Sequence, residues 1–264
     1  MKKVFLLLAV LICLFAFQST FAQGNTAETV SRIGIVSAMD TEIDLILANA
    51  DIEYEDHVGG IVFNVGTLCG KNVVIVKAGI GKVLSAAGTA ALFNRYDISS
   101  LIFTGVAGGV GDETKVLDMV IATDLVQHDY GTIQNEGFVW TSTHDNTNGG
   151  YYSCDESLVN LAYDAAVDTV GADHVFKGTI ASGDQFVASA AYVKTLQEKF
   201  DALACEMEGA SVAAVCEQYS VPFVVIRSMS DKADGDARET YDNFVDMAAD
   251  HSCTIVMKML ENMK

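Results

Sequence analysis

Four carboxylates in this chain occupy places where a carboxylate needs a reason. Glu206 and Glu208 stand one residue apart in residues 202–216 (ALACEMEGASVAAVC), a stretch otherwise made almost entirely of small and apolar residues. Glu42 follows an apolar run in residues 33–43 (IGIVSAMDTEI), and Asp231 follows another in residues 221–234 (VPFVVIRSMSDKAD). A carboxylate in apolar surroundings loses hydration, and a partner or a proton must replace it. Such groups are candidates for proton transfer or for holding hydroxyl groups. Each also has a plainer reading. Glu42 alone reads as a solvated acid in the first turn of a helix, Asp231 as a turn or N-cap residue, and Met207 as core. Glu206 and Glu208 together read as acids favoured at a helix N-terminus.

The elements that must position these residues follow from apolar periodicity. It predicts strands at residues 32–38, 71–77, 100–104, 116–123, 176–181 and 222–227, and helices at 41–50, 83–96, 158–170, 206–219 and 241–263. Strands alternating with helices predict a single-domain, three-layer α/β/α sandwich around a mixed, largely parallel central sheet. Sheets of this kind bind ligands at the carboxyl ends of their strands. Beyond those ends come MDTE (39–42), AGIG (78–81), GVAGG (105–109), SGDQF (182–186) and SMSD (228–231), which together describe a pocket with carboxylates, apolar walls and glycines that let backbone approach a ligand. The backbone at 205–208 stays open. In a regular helix, residues two apart point about 200° apart, so Glu206 and Glu208 could not face one ligand. In an extended segment they would share a side.

The chain has 264 residues, half of them hydrophobic, with a net charge of −19. That length buries a sizeable core in one domain. The charge excludes binding to nucleic acid or anionic lipid. Residues 1–22 have the form of a secretory signal peptide: Lys2 and Lys3, an apolar run, then small residues ending at Ala22. Cleavage there removes those two lysines and no acid, taking the charge from −19 to −21. The expectation is an exported protein with no membrane span after cleavage, or a membrane-anchored one if the leader stays on. The mature part, from about residue 31 to 264, keeps five cysteines with no tight spacing, so free thiols or one bridge with leftovers both remain open. His57, His128, His144, His174 and His251 lack metal-ligand spacing, and neither a metal nor a cofactor is expected. Residues 66–72 (GTLCGKN) approximate a phosphate loop but are one residue short and lack the hydroxyl residue after Lys71.

Six segments in order, namely residues 33–43, 78–83 (AGIGKV), 104–109 (TGVAGG), 182–187 (SGDQFV), 206–209 (EMEG) and 221–234, closely resemble the 5′-methylthioadenosine/S-adenosylhomocysteine nucleosidases of the nucleoside phosphorylase superfamily. The resemblance spans roughly residues 31–262. It implies hydrolysis of the adenine–ribose bond of 5′-substituted adenosines by a homodimer. It also implies roles. Asp231 would protonate adenine N7, and Glu42 would position and deprotonate water. Glu208 would hold the ribose hydroxyls, with Met207 against the sugar and Glu206 near the water within reach of Arg227, which is itself counted among the substrate-binding residues. Phe186 would stack on adenine and the Val187 backbone would read its edge. Met39, Ile80 and Tyr241 would surround the 5′-alkylthio group, and Ser230, Ala107 and Gly108 complete the expected site. Two positions depart from the family: Val106 replaces a frequent serine and Tyr241 a frequent phenylalanine. The alternatives are a phosphorylase of the same fold and an exported nucleoside-binding or adhesive protein with a relict pocket.

Overall fold

The apolar runs IGIV, VVIV and FVVI become inner strands of one sheet. A strand covered by helices on both faces needs apolar side chains pointing both ways. The computed structural model describes residues 30–142 and 148–263, so the leader at 1–22 and His144 lie outside the described residues. The chain runs through β1 (Arg32–Ser37), α1 (Asp44–Asn49), β2 (Asp51–Val58), β3 (Ile61–Leu68), β4 (Lys71–Lys77), α2 (Lys82–Arg95), β5 (Ile98–Gly109) and β6 (Met119–Gln127). It continues through β7 (Gly131–Gln134), β8 (Gly137–Trp140), β9 (Tyr151–Ser153), α3 (Glu156–Val170), β10 (Val175–Ser182), α4 (Ala190–Phe200), β11 (Ala202–Glu206), α5 (Gly209–Tyr219), β12 (Phe223–Asp231) and α6 (Ala237–Asn262).

The main sheet has the order β11-β10-β6-β12-β5-β1-β4-β3-β2, with β9 beside β6. One face packs Val36, Val74, Val76 and Phe103 against Leu92 of α2 and Val212 and Cys216 of α5. The other packs Ile33, Ile35, Val73, Ile75 and Ile102 against Ile46 of α1, Leu158 and Ala162 of α3, and Val256 and Met259 of α6. The alternation along β1 and β4 thus feeds two apolar layers, and the three-layer α/β expectation holds.

Several elements differ from the sequence reading. Residues 202–206, expected in part as helix, form β11, and the helix begins only at Gly209. The small apolar residues of ALACE fit a buried strand as well as a helix, and a short apolar run does not separate the two by period. The strand expected at 100–104 continues to Gly109. The hairpins β2–β3 and β7–β8, strand β9 and helix α4 were not anticipated. The phosphate-loop-like GTLCGKN is the β3–β4 hairpin, whose turn places Cys69 and Gly70 at φ of 51° and 73°, the left-handed pair such two-residue turns require. Cys69, Cys154, Cys205, Cys216 and Cys253 are free thiols. No helix among the described residues is long and apolar enough to cross a membrane.

Candidate active site

Strand directions explain where the acids meet. β1, β4, β5 and β12 run one way, because β1 is parallel to β4 and β5, and β12 to β5. β6, β10 and β11 run the other way, since β6 is antiparallel to β12 while parallel to β10, which is parallel to β11. The expectation that all the motif-bearing strand ends share one parallel edge is therefore corrected. The two sets lie side by side where β6 pairs with β12, and their tips meet where β11 reaches β5. β11 pairs antiparallel with β5 only at Ala204–Gly109 and Cys205–Gly108, where both strands end. Carboxyl ends from both sets open into one cleft of about 240 Å³.

Glu42 lies in the turn between β1 and α1 and is 2% exposed, so it is not a solvated helix acid. Its Oε2 accepts the backbone N–H groups of Ala38 and Met39 at 3.0 and 2.9 Å, and its Oε1 accepts that of Val106 at 3.0 Å. Burial raises its pKa above the ordinary carboxylate value, against the pull of Arg227 and these three N–H donors.

Asp231 ends β12 at a register shift: Met229 pairs with Ala107, and Asp231 rather than Ser230 with Gly108. Such a bulge re-aims side chains beside active sites. The Asp231 Oδ1 accepts the Ala233 N–H at 2.7 Å and Oδ2 accepts the Ser230 hydroxyl at 2.9 Å. Helix α6 has Asp236 as its N-cap residue, so Asp231 does not cap it. Burial pushes the Asp231 carboxyl upward, and the Ala233 and Ser230 donors pull against it.

Glu206 and Glu208 have different surroundings because the backbone changes from strand to helix between them. Both Glu206 oxygens accept the Gly209 N–H, at 3.0 and 2.7 Å, and Oε2 also accepts that of Glu208 at 3.1 Å. The Ser182 hydroxyl and the Arg227 Nη2 complete its shell. The helix-capping reading is thus right for Glu206, whose carboxylate is fully engaged although the residue borders the cleft. Glu208 caps nothing with its side chain. Its Oε1 accepts the Gly81 N–H at 2.8 Å, and the residue lines the cleft. Burial, with the Glu206 charge adding, pushes its pKa up to about 8.

Arg227 is expected among the ligand-contacting residues, and the structure corrects that. It is fully buried and is not part of the cleft wall. Its guanidinium is 3.8 Å from Glu42 and 3.5 Å from Glu208, bonds Glu206, and lies 4.3 Å over the Phe103 ring. One cation holds three carboxylates behind the cleft. Room for this comes from Gly105, where a Cβ would lie 2.1 Å from the Arg227 Nη1 and 2.4 Å from the Glu42 Oε1. At Gly108 a Cβ would lie 2.9 Å from the Asp231 Oδ1. Gly105 makes space for Glu42 and Arg227, and Gly108 for Asp231 and Ala233.

The cleft brings together Glu42, Asp231, Glu208, Glu206, Met207, Phe186, Val187, Ser230, Met39, Ile80, Ala107, Gly108 and Tyr241, every expected site residue except Arg227. Phe186 meets Tyr241 edge-on at 5.8 Å, and the Tyr241 hydroxyl is 3.5 Å from the Met39 sulfur. Ala38, Val106, Gln185, Cys205 and Arg238 also line it. Cys205 and Arg238 were not singled out from the sequence: Cys205 passes for core, and Arg238 gives no signal until α6 places it one turn before Tyr241.

Comparisons with known proteins agree with this geometry. Residues 32–261 match the family model of the phosphorylase superfamily. The 5′-methylthioadenosine/S-adenosylhomocysteine nucleosidase of Shewanella sediminis is 36% identical over 233 residues, 88% of this chain and 100% of that protein. Its counterpart from Bacillus cereus is 37% identical over 234 residues, with the same coverage. The crystal structure of the Neisseria meningitidis nucleosidase in complex with methylthio-immucillin-A superposes with a TM-score of 0.81 at 33% identity, covering 89% of this chain and 100% of that one. With a relative of this identity matched over its full length, the chain belongs to the phosphorylase superfamily, in its family of 5′-methylthioadenosine/S-adenosylhomocysteine nucleosidases.

Proposed function

We propose that the protein hydrolyses the N-glycosidic bond of 5′-methylthioadenosine, S-adenosylhomocysteine and related 5′-substituted adenosines, releasing adenine and the thioribose. The observation that carries the reading is the pairing of two buried acids, Glu42 and Asp231, held by separate sets of donors on the wall of one cleft. Breaking this bond develops cationic character on the sugar and negative charge on the departing base. The reaction therefore needs a proton for the base, a positioned water, and contacts that favour the cationic sugar. Asp231, held protonated longer by burial, supplies the proton to adenine N7. Glu42, fixed by three backbone N–H groups, orients the water and takes its proton. Two carboxyl groups divide the work as in glycoside hydrolysis. Glu208 accepts the ribose hydroxyls and stabilises the cationic sugar electrostatically. Phe186 stacks on the base beside the Val187 backbone, and Met39, Ile80 and Tyr241 enclose the 5′-thio group. Val106 offers no side-chain hydrogen bond to the ribose, and its N–H is already given to Glu42.

A phosphorylase of the same fold needs a cation for phosphate. The first loop supplies Glu42 instead, Arg227 is committed to three carboxylates, and the cleft's other cation, Arg238, stands at the exposed start of α6 rather than in the first loop. Adenine release from methylthioadenosine, assayed with and without phosphate, tests the reading. Equal rates with free thioribose support it; a ribose 1-phosphate product refutes it, and no turnover returns the protein to the nucleoside-binding alternative. The homodimer stays part of the proposal. Ile80, Val83 and Leu84, exposed at 53%, 77% and 54%, give apolar surface beside the cleft for a second copy to cover. A monomer in sedimentation at micromolar concentration would count against it. Export by a leader at residues 1–22 is likewise proposed, and the N-terminal sequence of the secreted fraction tests it.

A further inference from the structure

The acids of the cleft, Glu42, Glu206, Glu208 and Asp231, are all buried, and Arg238 is the one cation among its lining residues. In a chain with 35 acids against 16 lysines and arginines, Lys77, Lys82, Arg95, Lys194, Arg227 and Lys258 each pair with a carboxylate. Arg95 holds Asp56 and Arg227 holds Glu206. No carboxylate among the described residues lies within ion-pair distance of Arg238. Its guanidinium instead lies 5.5 Å over the Phe186 ring. It is exposed at the start of α6, three residues before Tyr241 and therefore on the same helix face. Tyr241 in turn reaches the Met39 sulfur.

With no carboxylate partner, the guanidinium N–H groups stay available, and their planar fork binds a carboxylate at two points. Resting on the proposed activity, we infer that Arg238 forms an anion subsite at the mouth of the cleft, which binds the carboxylate of a 5′-substituent such as the homocysteine tail. The subsite selects 5′-thioadenosines whose tail carries a carboxylate over those with an uncharged tail of the same length. Arg238 stands one helical turn before Tyr241, which encloses the thio group in the proposed site, and forms no ion pair with the acids assigned to the reaction. Its contribution is to binding, not to bond cleavage.

The test measures kcat/KM for two matched substrates, 5′-(3-carboxypropylthio)adenosine and 5′-butylthioadenosine, in the wild type, Arg238→Gln and Arg238→Lys, with methylthioadenosine as the reference. The inference requires the carboxylate-to-alkyl ratio of kcat/KM to fall about three- to fivefold in Arg238→Gln, the scale of an exposed ion pair. Arg238→Lys should keep part of that ratio. Added salt should lower the wild-type ratio and leave that of Arg238→Gln nearly flat. An unchanged ratio in Arg238→Gln, or an equal salt response in both proteins, overturns the subsite even if methylthioadenosine is cleaved normally. Failure of the wild type to release adenine from any of the three overturns the proposed function itself.

Discussion

Replacing Arg227 by Met removes the one cation that holds Glu42, Glu206 and Glu208 together. Methionine preserves much of the volume over Phe103 but none of the charge. Removing one partner of a buried ion pair costs about 3–5 kcal/mol, because it leaves charge buried without compensation. For a chain of this size each kcal/mol lowers Tm by about 2–4 °C, so the drop is roughly 6–20 °C. The pH dependence is the sharper readout. Burial already raises Glu42 and Glu208 above 4.5 while Arg227 pulls both down. Without Arg227 both rise further. A group whose folded pKa is raised binds more protons folded than unfolded between the two values, so stability falls as pH rises through that window. The Tm gap between wild type and Arg227→Met should therefore be largest near pH 8 and narrow toward pH 5. Arg227→Lys, which keeps the charge but loses the fork, should fall between them. Thermal melts monitored by circular dichroism from pH 5 to 8 supply the data. A loss below about 2 °C, or a gap that does not move with pH, would refute the account of Arg227 as the charge hub.

Asp231→Asn should lower kcat at least about 10²-fold with the fold intact, the scale of a lost general acid, and Glu42→Gln should do likewise. Near-normal turnover in either well-folded variant would show the roles to be misassigned. Glu208→Gln should lower both kcat and kcat/KM above pH 8, where the Glu208 carboxylate is ionised, because the lost charge favours the transition state over the substrate. Because Glu208 is pushed up to about 8, ionising it costs stability above the ordinary carboxylate range. The Tm of Glu208→Gln relative to wild type should therefore rise from pH 5 to pH 8, and a flat difference would contradict the burial argument. Gly105→Ala places a methyl 2.1 Å from the Arg227 Nη1 and 2.4 Å from the Glu42 Oε1, so activity and several degrees of Tm should be lost together. A wild-type-like Gly105→Ala enzyme would mean that the approach is looser than the structure has it.

The sequence by itself determined the elements whose pattern is local. The strand at Lys71–Lys77 and the helix at Lys82–Arg95 were read to within a residue, because a β-branched run or a 3.6-residue period is written in adjacent positions. The motifs named all the cleft acids and most of the walls, since these residues lie at or just beyond the carboxyl ends of strands. What each acid does was settled only by neighbours distant in sequence. Glu206 and Glu208 look alike in EMEG. They differ because β11 ends between Ser182 and Arg227, which engage the first, while the second turns toward Gly81. The sequence placed Arg227 beside the ligand. Packing put it behind the wall, because three carboxylates from two distant segments need one shared cation. Strand direction was also invisible locally, since a parallel and an antiparallel strand carry the same apolar run, and only the Cys205–Gly108 pairing brings the carboxyl ends of both sets to one cleft. Arg238 joins the site for the same kind of reason: nothing near it in the chain marks it, and only the start of α6 carries it over Phe186.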